Sequence, residues 1–206
     1  MRLRPYAPRD LPHVFDICLR TGDAGRDASA LFNDRWLLGR FYAAPYVMLE
    51  PESCLILEDR GQPCGYVLGT MDTARFVRWF NVDWHPGLKA LAEAAGAPRS
   101  GAEADLLRTV QRPLTVPSWA REYPAHLHID LMPVAQGQGW GRRMMRAWMA
   151  SAAHRGATGV HLGVARANQR AVEFYRRLGL RALKTWPEAL ILGARLKPGD
   201  EERSLR

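Results

Sequence analysis

The sequence predicts a single mixed α/β domain, and three observations lead there. The second half alternates strand-like and helix-like segments with glycine punctuation. The first half carries one clear hairpin behind two helical stretches. Between the halves, residues 73–123 break this rhythm with a Pro- and Arg-bearing block that reads as an insertion between sheet elements. With 206 residues, 47% of them hydrophobic and 24% charged, the chain can bury a substantial core.

In chain order, "RLRPY" (2–6) reads as a short strand. Pro8 and Asp10 introduce "LPHVFDICLRTG", apolar at helical spacing and stopped by Gly22. "ASALFNDRWLLGRFYAAPYVM" predicts a second helix, interrupted near Gly39 and ended near Pro45. "CLILED" and "CGYVLGTMD" flank a turn containing Gly61 and Pro63. After the insertion, "HLHIDLM" alternates strictly: His126, His128, Asp130 and Met132 share one face, Leu127, Ile129 and Leu131 the other. Met144, Met145, Trp148, Met149 and Ala152 then form one helix face. "TGVHLGVA" is a strand, Asn168 caps a helix over 169–178 with Gly179 as its stop, and "LRALKTW" and "EALILGARL" are the last strands. The expected domain covers 1–197, with 198–206 as a disordered tail.

Composition removes several function classes. No apolar run is long enough for a membrane span, and the N-terminus lacks a secretory apolar region. Cys18, Cys54 and Cys64 have neither disulfide-framework nor zinc spacing, so the reading is buried thiols in a reducing cytoplasm, with no metal. The net charge of +8 suits a polyanionic ligand, yet the arginines are scattered and no nucleic-acid-binding motif appears.

"MPVAQGQGWGRRMM" (132–145) follows a strand and opens a helix, the position where unpaired backbone N–H groups and the helix dipole favour phosphate. A nucleotide P-loop requires Lys-Ser/Thr after the last glycine, where this chain has Arg142 and Arg143. A dinucleotide fold requires G-x-G-x-x-G, and the glycines at 137, 139 and 141 bring the third one residue early.

The pattern Gln136-x-x-Gly139-x-Gly141 instead resembles the acetyl-CoA signature of the GCN5-related N-acetyltransferase (GNAT) family. "ANQRAVEFYRRLGL" resembles that family's second signature, matching at Asn168, Ala171, Phe174, Tyr175 and Gly179. The first strand, "HLHIDLMP" and "VEFYRRLG" also resemble the acetyltransferase-like C-terminal domain of O-GlcNAcase and its bacterial relatives. The resemblance implies a GNAT-type domain: a mixed, mostly antiparallel central sheet flanked by helices, with the insertion before the CoA-binding strand. It implies acetyl-CoA as co-substrate and direct acyl transfer to a primary amine. The alternative it leaves open is a non-catalytic acyl-CoA-binding or acceptor-recognition module. A homodimer is compatible with either.

Carried onto this chain, the resemblance assigns the pyrophosphate to the turn of Gln136, Gly137, Gln138, Gly139, Trp140 and Gly141, with Arg142 beside it. Leu131, Met132 and Pro133 would hold the pantetheine, and Asn168 would contact it while capping its helix. Tyr175 would stand near the thioester sulfur. A tyrosine near pKa 10 donating to a thiolate near 8.5 works uphill by roughly 2 kcal/mol, so a hydrogen bond is easier than full proton transfer. A base is needed because a lysine-like amine is protonated at neutral pH. Asp130 and His128 are the candidates: histidine has the better-matched ordinary pKa, and aspartate needs burial or a relaying water. Yet Asp130, nearest the CoA cleft in sequence and matching the aspartate of the O-GlcNAcase-type strand, is favoured as the acceptor-orienting or basic group, with His128 second. Trp79, Trp84, Trp119 and Tyr123 either line an acceptor pocket or form a satellite cluster. The acceptor stays open among protein amines, amino sugars, aminoglycosides and polyamines, with the positive net charge weighing against a polycation.

Overall fold

The computed structural model describes residues 1–197. The expected disordered tail lies outside them. Seven strands form one sheet in the order β1-β2-β3-β4-β5-β7-β6: β1 (Arg2–Pro5), β2 (Leu55–Asp59), β3 (Gln62–Thr70), β4 (Ala125–Leu131), β5 (Gly159–Ala165), β6 (Arg181–Thr185) and β7 (Ala189–Arg195). Every neighbouring pair is antiparallel except β4 with β5. The hairpin turn between β2 and β3 rests on Arg60 and Gly61, both at positive φ (50° and 83°), which matches the twist of the flanking strands.

Helices α1 (Leu11–Thr21), α2 (Leu37–Tyr42) and α3 (Ala44–Leu49) cover one face of the sheet. Val14, Ile17 and Cys18 of α1 point inward, three and four residues apart as an amphipathic stripe requires. The second helix expected within residues 28–48, interrupted near Gly39 and ended near Pro45, is instead two short ones broken at Ala43. Pro45 sits in the first turn of α3, where a missing N–H costs nothing, so it starts a helix rather than ending one. Gly39 lies inside α2 because the Phe15 ring occupies the place of its side chain.

Between β3 and β4 the chain forms α4 (Thr73–Trp79), a π-helical turn (Phe80–Trp84), α5 (His85–Glu93) and α6 (Gly101–Val110). Asp72 and Ser100 cap α4 and α6 through their side-chain oxygens. Helices α7 (Trp140–His154) and α8 (Gln169–Arg177) cover the other face of the sheet. Met144, Met145, Trp148 and Ala152 of α7 are at most 1% exposed, as their spacing predicts, while Met149 is only half-buried. Gly69 of β3 leaves room for the Trp148 indole, whose Nε1 donates to the Ser53 carbonyl at 2.7 Å.

The parting of two central strands positions the site. β4 and β5 pair only at Ala125↔Val160 and His126↔His161, and then diverge. A cleft opens between them, and residues from both faces of the sheet reach it.

Candidate active site

β4 leads into the glycine turn through one 3₁₀ turn, Pro133–Ala135. Gly137 and Gly139 have φ of +74° and +78°, a left-handed conformation that side chains resist. Arg143 N–H bonds back to Gly139 O at 3.2 Å, so the N–H groups ahead of it stand at the start of α7 without intrahelical acceptors. A Cβ at 137 or 139 would meet nothing within 4 Å, so the space above this N-terminus is open to an anion. Gly141 is glycine for another reason: a Cβ there would lie 3.2 Å from Phe174 Cζ of α8. The Gln136 side chain locks the turn, donating from Nε2 to Leu131 O at 2.8 Å and accepting from Arg170 at 2.9 Å. Gln138 donates to Val134 O.

Beyond His126 the β5-facing edge of β4 has no strand partner. An extended amide-bearing chain can add there as a strand would. Part of the expected edge is already used. Leu131 O serves Gln136, Met132 N–H donates to Cys64 O at 2.8 Å, and Pro133 has no N–H. Alternation then leaves Ile129 and the Leu131 N–H as the available groups.

A cavity of about 1140 Å³ fills the cleft. It gathers Leu131, Gln136, Gly137, Gly139, Gly141, Arg142 and Asn168 with His128, Asp130 and Tyr175. Met132, Pro133, Gln138 and Trp140 lie outside its lining; Trp140 carries the Arg143 guanidinium over its ring at 5.0 Å. Asn168 caps α8, its Oδ1 accepting from Ala171 N–H at 3.1 Å. Arg146 joins Arg142 on the cavity side of α7, and α8 adds Arg170 and Arg177. Neither family signature includes these last two, although their seven-residue spacing puts them on one helix face.

The alternation of β4 holds without a bulge, so His126, His128 and Asp130 share the face toward α1–α3. Asp130 is half-buried in the cavity wall and shielded there from bulk water. Desolvation reverses the order of the two groups' ordinary pKa values. As the dominant cause, it lifts the Asp130 carboxyl to about 6, with hydrogen bonds from the Tyr66 and Thr21 hydroxyls pulling it down. The same desolvation drives His128 down to about 4 and His126 well below its ordinary value. At neutral pH the imidazoles are therefore neutral, and of these groups the Asp130 carboxyl titrates nearest to neutrality. His128 sits against the Tyr42 and Tyr46 rings, and His126 Nδ1 is 2.8 Å from Thr73 Oγ1.

Tyr66 supports Asp130 from behind the cavity wall, although no motif points to it. It lies opposite Asp130 in the β3–β4 register, is fully buried, and donates from Oη to Asp130 Oδ2 at 2.5 Å. Cys18, its thiol pushed up to about 12 by burial, faces the same pair from α1. Cross-strand register is the only sequence-level signal for this contact, and it depends on knowing which strands pair. Tyr175 is 8% exposed on α8, and burial, reinforced by the Asp130 charge, raises its pKa above the ordinary tyrosine value. Its hydroxyl has no hydrogen-bond partner among the described residues and belongs to the cavity wall.

The tryptophans line no acceptor pocket, and they do not gather into one satellite cluster either. Trp79 and Trp84 stack at 5.9 Å against the α1–α3 core, and Trp84 Nε1 donates to Arg40 O at 2.9 Å. Trp119 packs on His161 and Trp186. None of them, nor Tyr123, lines the cavity. The insertion contributes α6 to it instead, through Ala102, Asp105, Leu106 and Thr109.

Residues 112–180 match the model of the acetyltransferase (GNAT) family. The crystal structure of a protein called SsHAT superposes with a TM-score of 0.86 at 41% identity, covering 94% of this chain and 97% of that one. The chain belongs to the GNAT acetyltransferase family. This GNAT chain is also 25% identical over 181 residues to rat (Rattus norvegicus) protein O-GlcNAcase, covering 86% of itself and 20% of that relative. It thus spans about a fifth of the curated relatives it matches. The GNAT fold recurs in the ribosomal-protein-S18-alanine N-acetyltransferase from Escherichia coli, at 15% identity, a TM-score of 0.53 and coverage of 95% and 94% of the two chains. Family membership implies use of acetyl-CoA. Among the described residues, no helix is long and apolar enough to cross a membrane.

Proposed function

We propose that this chain is an acetyl-CoA-dependent N-acetyltransferase that passes the acetyl group directly to a primary amine. One observation carries the reading. A single cavity joins the open N-terminus of α7, the unpaired edge of β4, and an acid and a hydroxyl from opposite faces of the sheet. A binding-only module needs the first two features. The desolvated Asp130 with its raised pKa, sharing the cavity with Tyr175, favours turnover as well.

Acetyl-CoA supplies the thioester carbonyl and a thiol leaving group. The α7 N-terminus and Arg142 offer charge complementarity to its pyrophosphate, and the free β4 edge orients its amide arm. Asp130 takes a proton from the incoming ammonium, directly or through water, and frees the nitrogen lone pair. As the C–N bond forms and the C–S bond breaks, the nitrogen gives up its second proton to solvent, and the Tyr175 hydroxyl donates a hydrogen bond to the departing sulfur. Its raised pKa keeps it protonated, so the thiolate takes its proton from solvent and Asp130 releases its own there. His128, neutral at working pH, holds the wall behind Asp130.

Calorimetric titration with acetyl-CoA, followed by thiol release with an amine panel, tests the proposal. Saturable binding with turnover is expected. Absence of saturable binding at millimolar ligand overturns the cleft assignment, and binding without turnover on any amine favours the recognition-module reading.

A further inference from the structure

Helix α6 closes one end of the cavity, and the way it is fastened bears on what can enter. Glu103, 3% exposed in the first turn of α6, accepts the backbone N–H groups of Asn33 at 2.8 Å and Arg99 at 2.6 Å. Ser100, the α6 cap, donates to Leu31 O at 2.8 Å. Asn33 donates from Nδ2 to Ala97 O and accepts from Arg99 Nε, each at 3.0 Å. These bonds lace residues 97–103 to residues 31–34, in the loop between α1 and α2. α6 is thereby a fixed wall of the chamber in which an acceptor would sit.

The chamber's chemistry is one-sided. Phe32, Leu38 and Leu106 present buried apolar surface, and the Tyr42 ring lies 5.6 Å from that of His128, two residues from Asp130. Apolar walls leave a sugar's hydroxyls without partners, at a cost for each one desolvated. Arginines outnumber carboxylates by five to three in the whole cavity lining, which opposes a polycation. A single ammonium, by contrast, finds Asp130 in the cavity wall, while Asp105 on α6 is already paired with Arg108.

Resting on the acyl-transfer reading above, we propose that the acceptor is a compact primary amine with one positive charge on an aromatic or apolar body. That body sits between Tyr42, Phe32, Leu38 and Leu106, with the nitrogen toward Asp130.

The test offers the full chain, saturated with acetyl-CoA, four amines separately: phenethylamine, spermidine, glucosamine and a lysine-containing peptide. Thiol release should give phenethylamine a kcat/KM at least about tenfold above the others, the usual discrimination by a shaped apolar pocket. Thr109→Trp and Ala102→Trp narrow the chamber from exposed positions, where folding is little affected. Each should lower kcat/KM for phenethylamine about tenfold while acetyl-CoA affinity stays within about twofold. Saturation-transfer NMR of phenethylamine on the CoA-bound chain reads the seat without turnover. Binding that Thr109→Trp weakens supports the proposal. No binding, or a preference for the peptide, spermidine or glucosamine, overturns it. If phenethylamine binds but no amine releases thiol, the seat stands and the acyl-transfer reading falls.

Discussion

Replacing Asp130 by Asn should stabilise this protein at neutral pH while abolishing its acetyl transfer. The asparagine keeps the shape and an oxygen to accept the Tyr66 hydroxyl, but carries no charge into the desolvated site. The folded-state pKa of Asp130 is about 6, against an ordinary value of 3.8. A raised pKa means that the folded chain binds the proton more tightly than the unfolded chain. The stability from this group is fully present below the ordinary value and is lost as pH rises through about 6. The difference amounts to about 3 kcal/mol at full ionisation. In urea unfolding from pH 4 to pH 8, the gap between Asp130→Asn and wild type should open from near zero toward that value. In parallel, wild-type kcat/KM should fall about tenfold per pH unit below pH 6, as the carboxylate takes up its proton. A destabilised Asp130→Asn at pH 8, or an acid limb that survives in that variant, would refute the assignment of Asp130 as a strained base.

The remaining predictions concern groups around that carboxylate and the turn. Tyr66→Phe removes a hydrogen bond that favours the charged form, so the acid limb should move to higher pH with acetyl-CoA affinity unchanged; pH–rate profiles check this. Tyr175→Phe should lower kcat about ten- to a hundredfold without altering the dissociation constant for acetyl-CoA, as steady-state kinetics and calorimetry will separate. Gly139→Ala forces a side chain onto φ +78° and should cost about 1 kcal/mol in thermal unfolding, together with weaker acetyl-CoA binding. Gly141→Val should act differently, pushing Phe174 of α8 and lowering kcat through the neighbouring Tyr175, which the same kinetics will show.

Local chemistry made much of this protein legible in one dimension. The strict alternation of "HLHIDLM" put Asp130 and both histidines on one face, and no bulge disturbed it. The apolar spacing of α7, the Asn168 cap and the positive-φ glycines of the turn all follow from rules that act within a few residues. Pro45 misled because proline both ends helices and begins them, and only the break at Ala43 separates the two uses.

What the tertiary structure decided are quantities that depend on neighbours distant in sequence. Burial reversed the ordinary pKa order of His128 and Asp130, because desolvation penalises an imidazolium and a carboxylate in opposite pKa directions. Tyr66 reached Asp130 across 64 residues through strand register. Trp79 and Trp84 of the insertion went against the core, and α6, unremarkable as a sequence, became a wall of the cavity through bonds to residues 31–34. Periodicity and motif specify which face a side chain takes and which backbone can bend. Dielectric surroundings and contacts between separate segments exist only once the chain has closed on itself, and those set the chemistry of the cleft.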